Sequence, residues 1–278
     1  MSMYKTFNYK NSAIAYSVQG QGKPVVLLHG FGETSAIYTQ QIDYLQEHCL
    51  LIIPDLPGSG NSTLLKNSEE KNNLTVSVNY PASLNDYADC IATLLAHEKI
   101  YSCTLLGHSM GGYITMAFAE RHNNLLNAFG LIHSTAYADN ETKKENRIKG
   151  IEMVEEYGCY AFLKTVIPNL FGEAFKQAYP EKINELIETS KLFEKDALQQ
   201  YYFAMHNRPD RRHILKESKV PIMLIAGTED TVAPINDIIE QATVPQQCYI
   251  HVLEKVGHMG MWEATNKMNE YLLQFINR

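Results

Sequence analysis

The sequence predicts an α/β domain built on a mostly parallel sheet with helices on both faces. Three observations lead there. Short, continuous apolar runs at 25–28, 50–53, 128–132 and 220–226 have the length and composition of strands buried on both faces. Stretches with helical apolar spacing alternate with them, as repeated strand–helix units do. A glycine-rich turn, Gly107-His108-Ser109-Met110-Gly111, joins another apolar run (102–106) to a helix-compatible segment. A serine there sits on a sharp strand-to-helix turn, its hydroxyl pushed out of the backbone and the positive end of the next helix aimed at it.

Composition fits one enzyme-sized domain. The 278 residues are 45% hydrophobic and 20% charged, the balance of a globular protein with a large core. A net charge of −7 argues against nucleic acid and anionic membrane surfaces as partners. The five cysteines, Cys49, Cys90, Cys103, Cys159 and Cys248, form no C-x-x-C pair and read as small apolar residues of a reducing compartment. With no apolar stretch of signal-peptide or membrane-spanning type, the expectation is a cytoplasmic protein, monomer or homodimer, acting on a small molecule.

Taken in order, 3–9 and 14–18 read as two strands joined by a turn, followed by the 25–28 strand. That strand stops at His29-Gly30-Phe31-Gly32, after which Thr34 or Ser35 is placed to cap a helix carrying Ile37 and Leu45 on one face. The 50–53 strand ends in Pro54-Asp55-Leu56-Pro57-Gly58. A polar stretch at 64–81 reads as an exposed excursion, with 74–78 as a short edge strand or hairpin arm inside it. A helix at 83–97 leads to the strand before Ser109. From 136 to 213 the alternation ceases and helix follows helix: 141–157, 159–166, 173–179, 181–192 and 196–206. Consecutive helices between two sheet strands are expected to form a lid. Ten Phe or Tyr residues fall between Tyr157 and His206; at most a third of them are expected to face a pocket over Ser109, the rest packing helices together. Alternation resumes with a strand at 220–226, a helix at 235–242, a strand at 248–253 and a C-terminal helix at 263–276. The domain division is therefore 1–135 with 214–278 as the core and 136–213 as the lid.

Ser109, Asp230 and His258 stand at strand ends, where functional residues of such sheets lie. Acyl transfer needs a base for the serine proton, and an acid to fix that base's tautomer. Only His251 and His258 follow Asp230 in the chain. His251 lies mid-strand, whereas His258 lies past a strand end after Gly257. His108 reads as structural. For the acid, Glu229 competes with Asp230, and Asp139 is an outsider; the Gly-x-x-Asp spacing from Gly227 favours Asp230. The backbone N–H groups of Phe31 and Met110 are placed to stabilise an oxyanion. No metal-ligand spacing is present, and neither metal nor organic cofactor is expected.

Five motifs, His29-Gly30-Phe31-Gly32, the run from Asp55 through Ser62, Gly107-His108-Ser109-Met110-Gly111-Gly112, Gly227-Thr228-Glu229-Asp230 and Gly257-His258, together resemble the α/β-hydrolase superfamily in its lid-bearing branch. That branch includes carboxylesterases, enol-lactone hydrolases, proline iminopeptidases, cofactor-free haloperoxidases and carbon–carbon bond hydrolases. The resemblance implies the α/β-hydrolase fold, a mostly parallel eight-stranded sheet with flanking helices and an inserted helical lid. It also implies Ser109, Asp230 and His258 as triad, with Phe31 and Met110 as oxyanion donors. The expected activity is a serine hydrolase cleaving small or medium apolar carboxylic esters or lactones. Trp262-Glu263 after His258 is similar to the carbon–carbon hydrolases, but those carry Asn where this chain has His108. Haloperoxidase or aminopeptidase activity also fits the resemblance, as does a ligand receptor that keeps the triad.

Overall fold

The computed structural model describes residues 4–278. Two strands open it, β1 (Lys5–Tyr9) and β2 (Ser12–Gln19). Lys10 and Asn11 join them with φ of 45° and 63°, the conformation a two-residue hairpin turn demands. β3 (Pro24–Leu28) and β4 (Leu50–Pro54) flank a 3-10 turn at Ser35–Tyr38, capped by the Thr34 side chain, and helix α1 (Thr39–Leu45). Next come α2 (Leu84–His97), β5 (Cys103–His108), α3 (Met110–Arg121) and β6 (Leu126–Ile132). Helices α4 (Glu141–Val166), α5 (Glu173–Ala178), α6 (Pro180–Thr189), α7 (Lys195–His206) and α8 (Arg212–Glu217) lie between β6 and β7 (Ile222–Gly227). The chain closes with α9 (Ile235–Ala242), β8 (Cys248–Leu253), α10 (Gly260–Glu263) and α11 (Thr265–Ile276).

One eight-stranded sheet runs β1-β2-β4-β3-β5-β6-β7-β8. β2 is antiparallel to both β1 and β4, and every other pairing is parallel. This is the α/β-hydrolase fold expected from the sequence. β5 and β7 are buried at every position, which is why β7 reads as an unbroken apolar run and β5 carries apolar residues on both faces. β8 lies at the sheet edge and stays half-exposed, so its apolar signal is weaker. Ser83 and Asp86 form a reciprocal capping box at the start of α2. No helix among the described residues is long and apolar enough to cross a membrane.

Several local expectations are corrected. Residues 74–78 form no strand. Nor is the 64–81 stretch simply exposed: Leu64, Leu65 and Val78 are buried. The buried Gln200 side chain of α7 donates to the carbonyls of Leu65 and Tyr80 and accepts from the Tyr87 hydroxyl at 2.7 Å. The segment is thus a strap held by polar contacts, a tether that hydrophobic periodicity cannot reveal. The two helices expected at 141–157 and 159–166 are one run, kinked at Gly158 with φ 80° and ψ 167°, a conformation essentially confined to glycine. A short helix at Arg212–Glu217 escaped the sequence reading; its Leu215 is fully buried, and the preceding Arg211 pairs with Glu120 of α3. The final helix is broken at Ala264 into α10 and α11. The first strand starts at Lys5, and Met3 lies outside the described residues.

Replacing Gln200 by Leu leaves one hydroxyl and two carbonyls without their buried partner. We expect the variant to lose about 2–4 kcal/mol of stability, and limited proteolysis to cut first within 66–79. Urea unfolding and mass mapping of the nick test this; an unchanged midpoint would mean the strap is held elsewhere.

Candidate active site

Ser109 has φ 51° and ψ −115°, a strained conformation for a residue with a Cβ. The turn is this tight because β5 and α3 nearly touch: a Cβ on Gly107 would lie 2.1 Å from the carbonyl oxygen of Gly111. The Ser109 backbone is fully engaged. Its N–H donates to Ile132 O at 3.0 Å, and its carbonyl accepts from the Ser134 hydroxyl at 2.7 Å and from the Gly112 and Tyr113 amides. The residue is partly exposed between buried His108 and Met110. The Met110 N–H heads α3 and has no intrahelical acceptor. Among the described residues no acceptor is found for it or for the Phe31 N–H.

Asp230 and His258 meet, His258 Nδ1 donating to Asp230 Oδ2 at 2.8 Å with both side chains buried. Asp230 Oδ1 accepts the Val232 and Ala233 amides at 2.8 and 2.9 Å. Burial alone would raise the Asp230 pKa, but the facing imidazoles hold it far below the carboxylate range. The competitors are occupied elsewhere. Glu229 accepts the Glu173 amide at the start of α5. Asp139 is buried between Arg147 and Arg208. His251 stacks on Tyr271 with ring centroids 4.0 Å apart. No hydrogen bond joins Ser109 Oγ to His258 among the described residues; such contacts commonly tighten only when substrate is bound.

His133, which sequence reasoning missed, follows β6 at φ 48° and donates from Nδ1 to the same Asp230 oxygen at 3.1 Å. His133, Asp230 and His258 form a group compact enough to suggest a metal site. Because ionised Asp230 can only accept, both Nδ1 atoms must carry protons toward it, which removes them as metal ligands. Burial lowers the His133 pKa to about 4 despite the opposing pull of Asp230. His133 is therefore neutral, and its Nε2 has no partner. The sequence clue was its place at the end of a central strand, where this chain carries a polar residue.

A second buried pair lies under the nucleophile turn. Glu33 Oε2 accepts the Gly30 amide at 2.6 Å and His108 Nδ1 at 3.0 Å, while His108 Nε2 donates to the carbonyl of His258 at 2.9 Å. Burial works against both charges, yet Glu33 raises the His108 pKa and His108 lowers that of Glu33. Donation from both ring nitrogens makes His108 a cation. The expectation that His108 is structural holds, in that it binds no outward-facing group, but its job is to join three loops.

Residues of the helices between β6 and β7 pack against this assembly. The Phe31 ring stacks on Tyr202 at 4.3 Å and meets Phe162 and Tyr201 edge-on at 6.5 and 6.3 Å. Leu170 O accepts the His258 amide at 2.6 Å. Glu263 accepts the amides of Gly172, Gly257 and Met259 at 2.8–3.1 Å.

Comparison with known proteins agrees with this architecture. A family model described as the alpha/beta hydrolase fold matches residues 23–143. A thermophilic esterase from Thermogutta terrifontis superimposes with a TM-score of 0.88 at 24% identity, covering 100% of this chain and 98% of that one. The enol-lactonase of Burkholderia xenovorans LB400 gives 0.87 at 19% identity, covering 99% and 100%. In sequence, (E)-2-((N-methylformamido)methylene)succinate hydrolase from Acinetobacter baylyi is 26% identical, with 96% of this chain and 95% of that protein covered. The chain has the α/β-hydrolase fold, and its residues 23–143 match the model of that fold family.

The buried neutral His133 has a thermodynamic signature. In the unfolded chain a histidine takes up its proton near pH 6.5, in the folded protein only near 4. The unfolded state therefore binds more protons between those values. The contribution is fully present above pH 6.5 and is lost, on the order of 3 kcal/mol, as pH falls toward 4. His133→Asn keeps an N–H toward Asp230 without the titration. Chemical denaturation at pH 7 and 4.5 should show a smaller acid loss in the variant than in the parent; equal losses would mean His133 is not buried as a neutral group.

Proposed function

We propose that the protein is a serine hydrolase of carboxylic esters or lactones, working through an acyl-enzyme. The observation that carries this reading is Ser109 on its strained turn, beside the Asp230–His258 pair. Ser109 Oγ attacks the substrate carbonyl while His258 Nε2 takes its proton. Asp230 holds the Nδ1 proton of His258 in place and stabilises the imidazolium. The negative charge on the tetrahedral oxygen is received by the Phe31 and Met110 N–H groups, which carry no competing hydrogen bond. His258 then protonates the leaving alcohol, and water activated by the same imidazole clears the acyl-enzyme. The helices between β6 and β7 act as a lid whose Phe162, Tyr201 and Tyr202 shape the pocket through Phe31.

Relatives that include lipases, an enol-lactonase and carbon–carbon hydrolases support hydrolytic chemistry in general. A carbon–carbon reading has those relatives in its favour. The Trp262–Glu263 similarity adds little to it here, because Trp262 Nε1 donates to Ile37 O at 3.0 Å and Glu263 is spent on backbone amides.

Ser109→Ala should abolish hydrolysis of p-nitrophenyl esters and labelling by a small fluorophosphonate, with unchanged circular dichroism. Residual hydrolysis above about a tenth of the parent would point to another nucleophile. Asp230→Asn should lower kcat/KM on the order of 10⁴-fold. A panel of p-nitrophenyl esters, an enol lactone and a dienone separates the readings: turnover confined to the dienone would replace the ester assignment by the carbon–carbon one.

A further inference from the structure

A cluster of hydrogen-bond donors without acceptors lies beside the proposed oxyanion loop. Arg147 of α4 and Arg208, just after α7, share a single buried carboxylate, Asp139, with N···O distances of 3.1 and 2.8 Å. Arg208 pairs with Asp139 by charge, donates to the carbonyls of Tyr137 and Met205 and stacks on Tyr113 at 3.8 Å. Arg147 donates only from Nε, to Asp139. Its two Nη groups have no acceptor among the described residues, and its guanidinium lies 5.3 Å from the Tyr202 ring centre. The Tyr113 hydroxyl has no partner there and the Tyr202 hydroxyl faces only the Arg147 guanidinium, although the two side chains are only 5% and 7% exposed. Their placement is specific: Tyr113 is on the first turn of α3, its amide on Ser109 O, and Tyr202 stacks on Phe31.

Two guanidinium groups against one carboxylate leave one positive charge uncompensated, on an Arg147 side chain that is 19% exposed. Free donors surround it, and no second anion of the chain pairs with Arg147. A planar fork with flanking hydroxyls matches a carboxylate. We propose that Arg147, with the Tyr113 and Tyr202 hydroxyls, binds a carboxylate carried by the substrate, so that the preferred substrates are half-esters or lactones of dicarboxylic acids. This inference rests on the hydrolase reading above and narrows the apolar substrate class expected from the sequence.

The test compares p-nitrophenyl monoesters of adipic, pimelic and suberic acids with the same compounds capped as methyl esters. At one chain length or more the free acid should be preferred, and Arg147→Gln should cut that preference about 10–100-fold. Tyr202→Phe and Tyr113→Phe keep the rings and should each reduce it several-fold, which guards against a misfolded arginine variant. Lys149→Gln, an exposed site on the same helix, should leave the ratio unchanged. Preference for the capped ester at every length, or a ratio indifferent to Arg147→Gln and both tyrosine variants, would overturn the proposal. Binding is read independently of chemistry: adipate, pimelate or suberate should raise the melting midpoint of Ser109→Ala, and not of Ser109→Ala combined with Arg147→Gln. If the diacids stabilise in this Arg147-dependent way while no ester is cleaved, the carboxylate site stands and the hydrolase reading falls; ester cleavage without that stabilisation sinks the site alone.

Discussion

The Glu33–His108 pair is the contact on which the rest of the site depends. One carboxylate oxygen holds the loop that carries Phe31, through the Gly30 amide, and the residue before Ser109, through His108. The other nitrogen of His108 holds the backbone of His258. Three chain segments far apart in sequence are thus joined by one ion pair with almost no solvent exposure. Desolvating such a pair is costly, and its Coulombic gain only partly offsets that cost. Its worth is geometric: a cation that must donate in two directions fixes the relative placement of everything it touches.

Much of this was legible in the sequence. Strand–helix alternation gave the sheet, because doubly covered strands must be continuously apolar. The five motifs gave the fold and marked Ser109, Asp230 and His258, because each lies where a strand ends and the backbone must turn. The structure brings Asp230 and His258 into contact and leaves the Phe31 and Met110 amides free. What escaped notice was buried polar chemistry between distant residues. Glu33 carries no local signal and His133 only its place at a strand end: each is one polar residue in a loop until the fold supplies its partner 75 or 97 positions away. The Gln200 strap and the Arg147–Asp139–Arg208 group escaped for the same reason, since periodicity reports faces and not pairings.

Asp230 is loaded more heavily than a simple acid–base dyad requires. Two amides and two imidazoles approach its two oxygens. Each donor disperses some of the carboxylate's charge, so His133 lessens what Asp230 offers His258. In exchange, the carboxylate is immobilised: with every in-plane direction occupied, it cannot rotate away from His258. His133 is held in turn by a left-handed backbone and by the close approach of Gly260 to its Nε2.

The contacts made by residues 170–172 bear on how such proteins can be recombined. Leu170 receives the His258 amide, and Gly172 donates to Glu263, which also grips both sides of His258. The intervening helices are therefore not a detachable module resting on a finished core. A chimera that exchanged them for those of a homologue would also exchange two of the backbone anchors of His258. Its junctions would have to keep a carbonyl at position 170 and an amide at position 172 in register with the donor's counterpart of Glu263. Inheritance of a new specificity by wholesale transfer of this segment is thus constrained by the loop it braces, while point changes among Phe162, Tyr201 and Tyr202 leave that brace untouched.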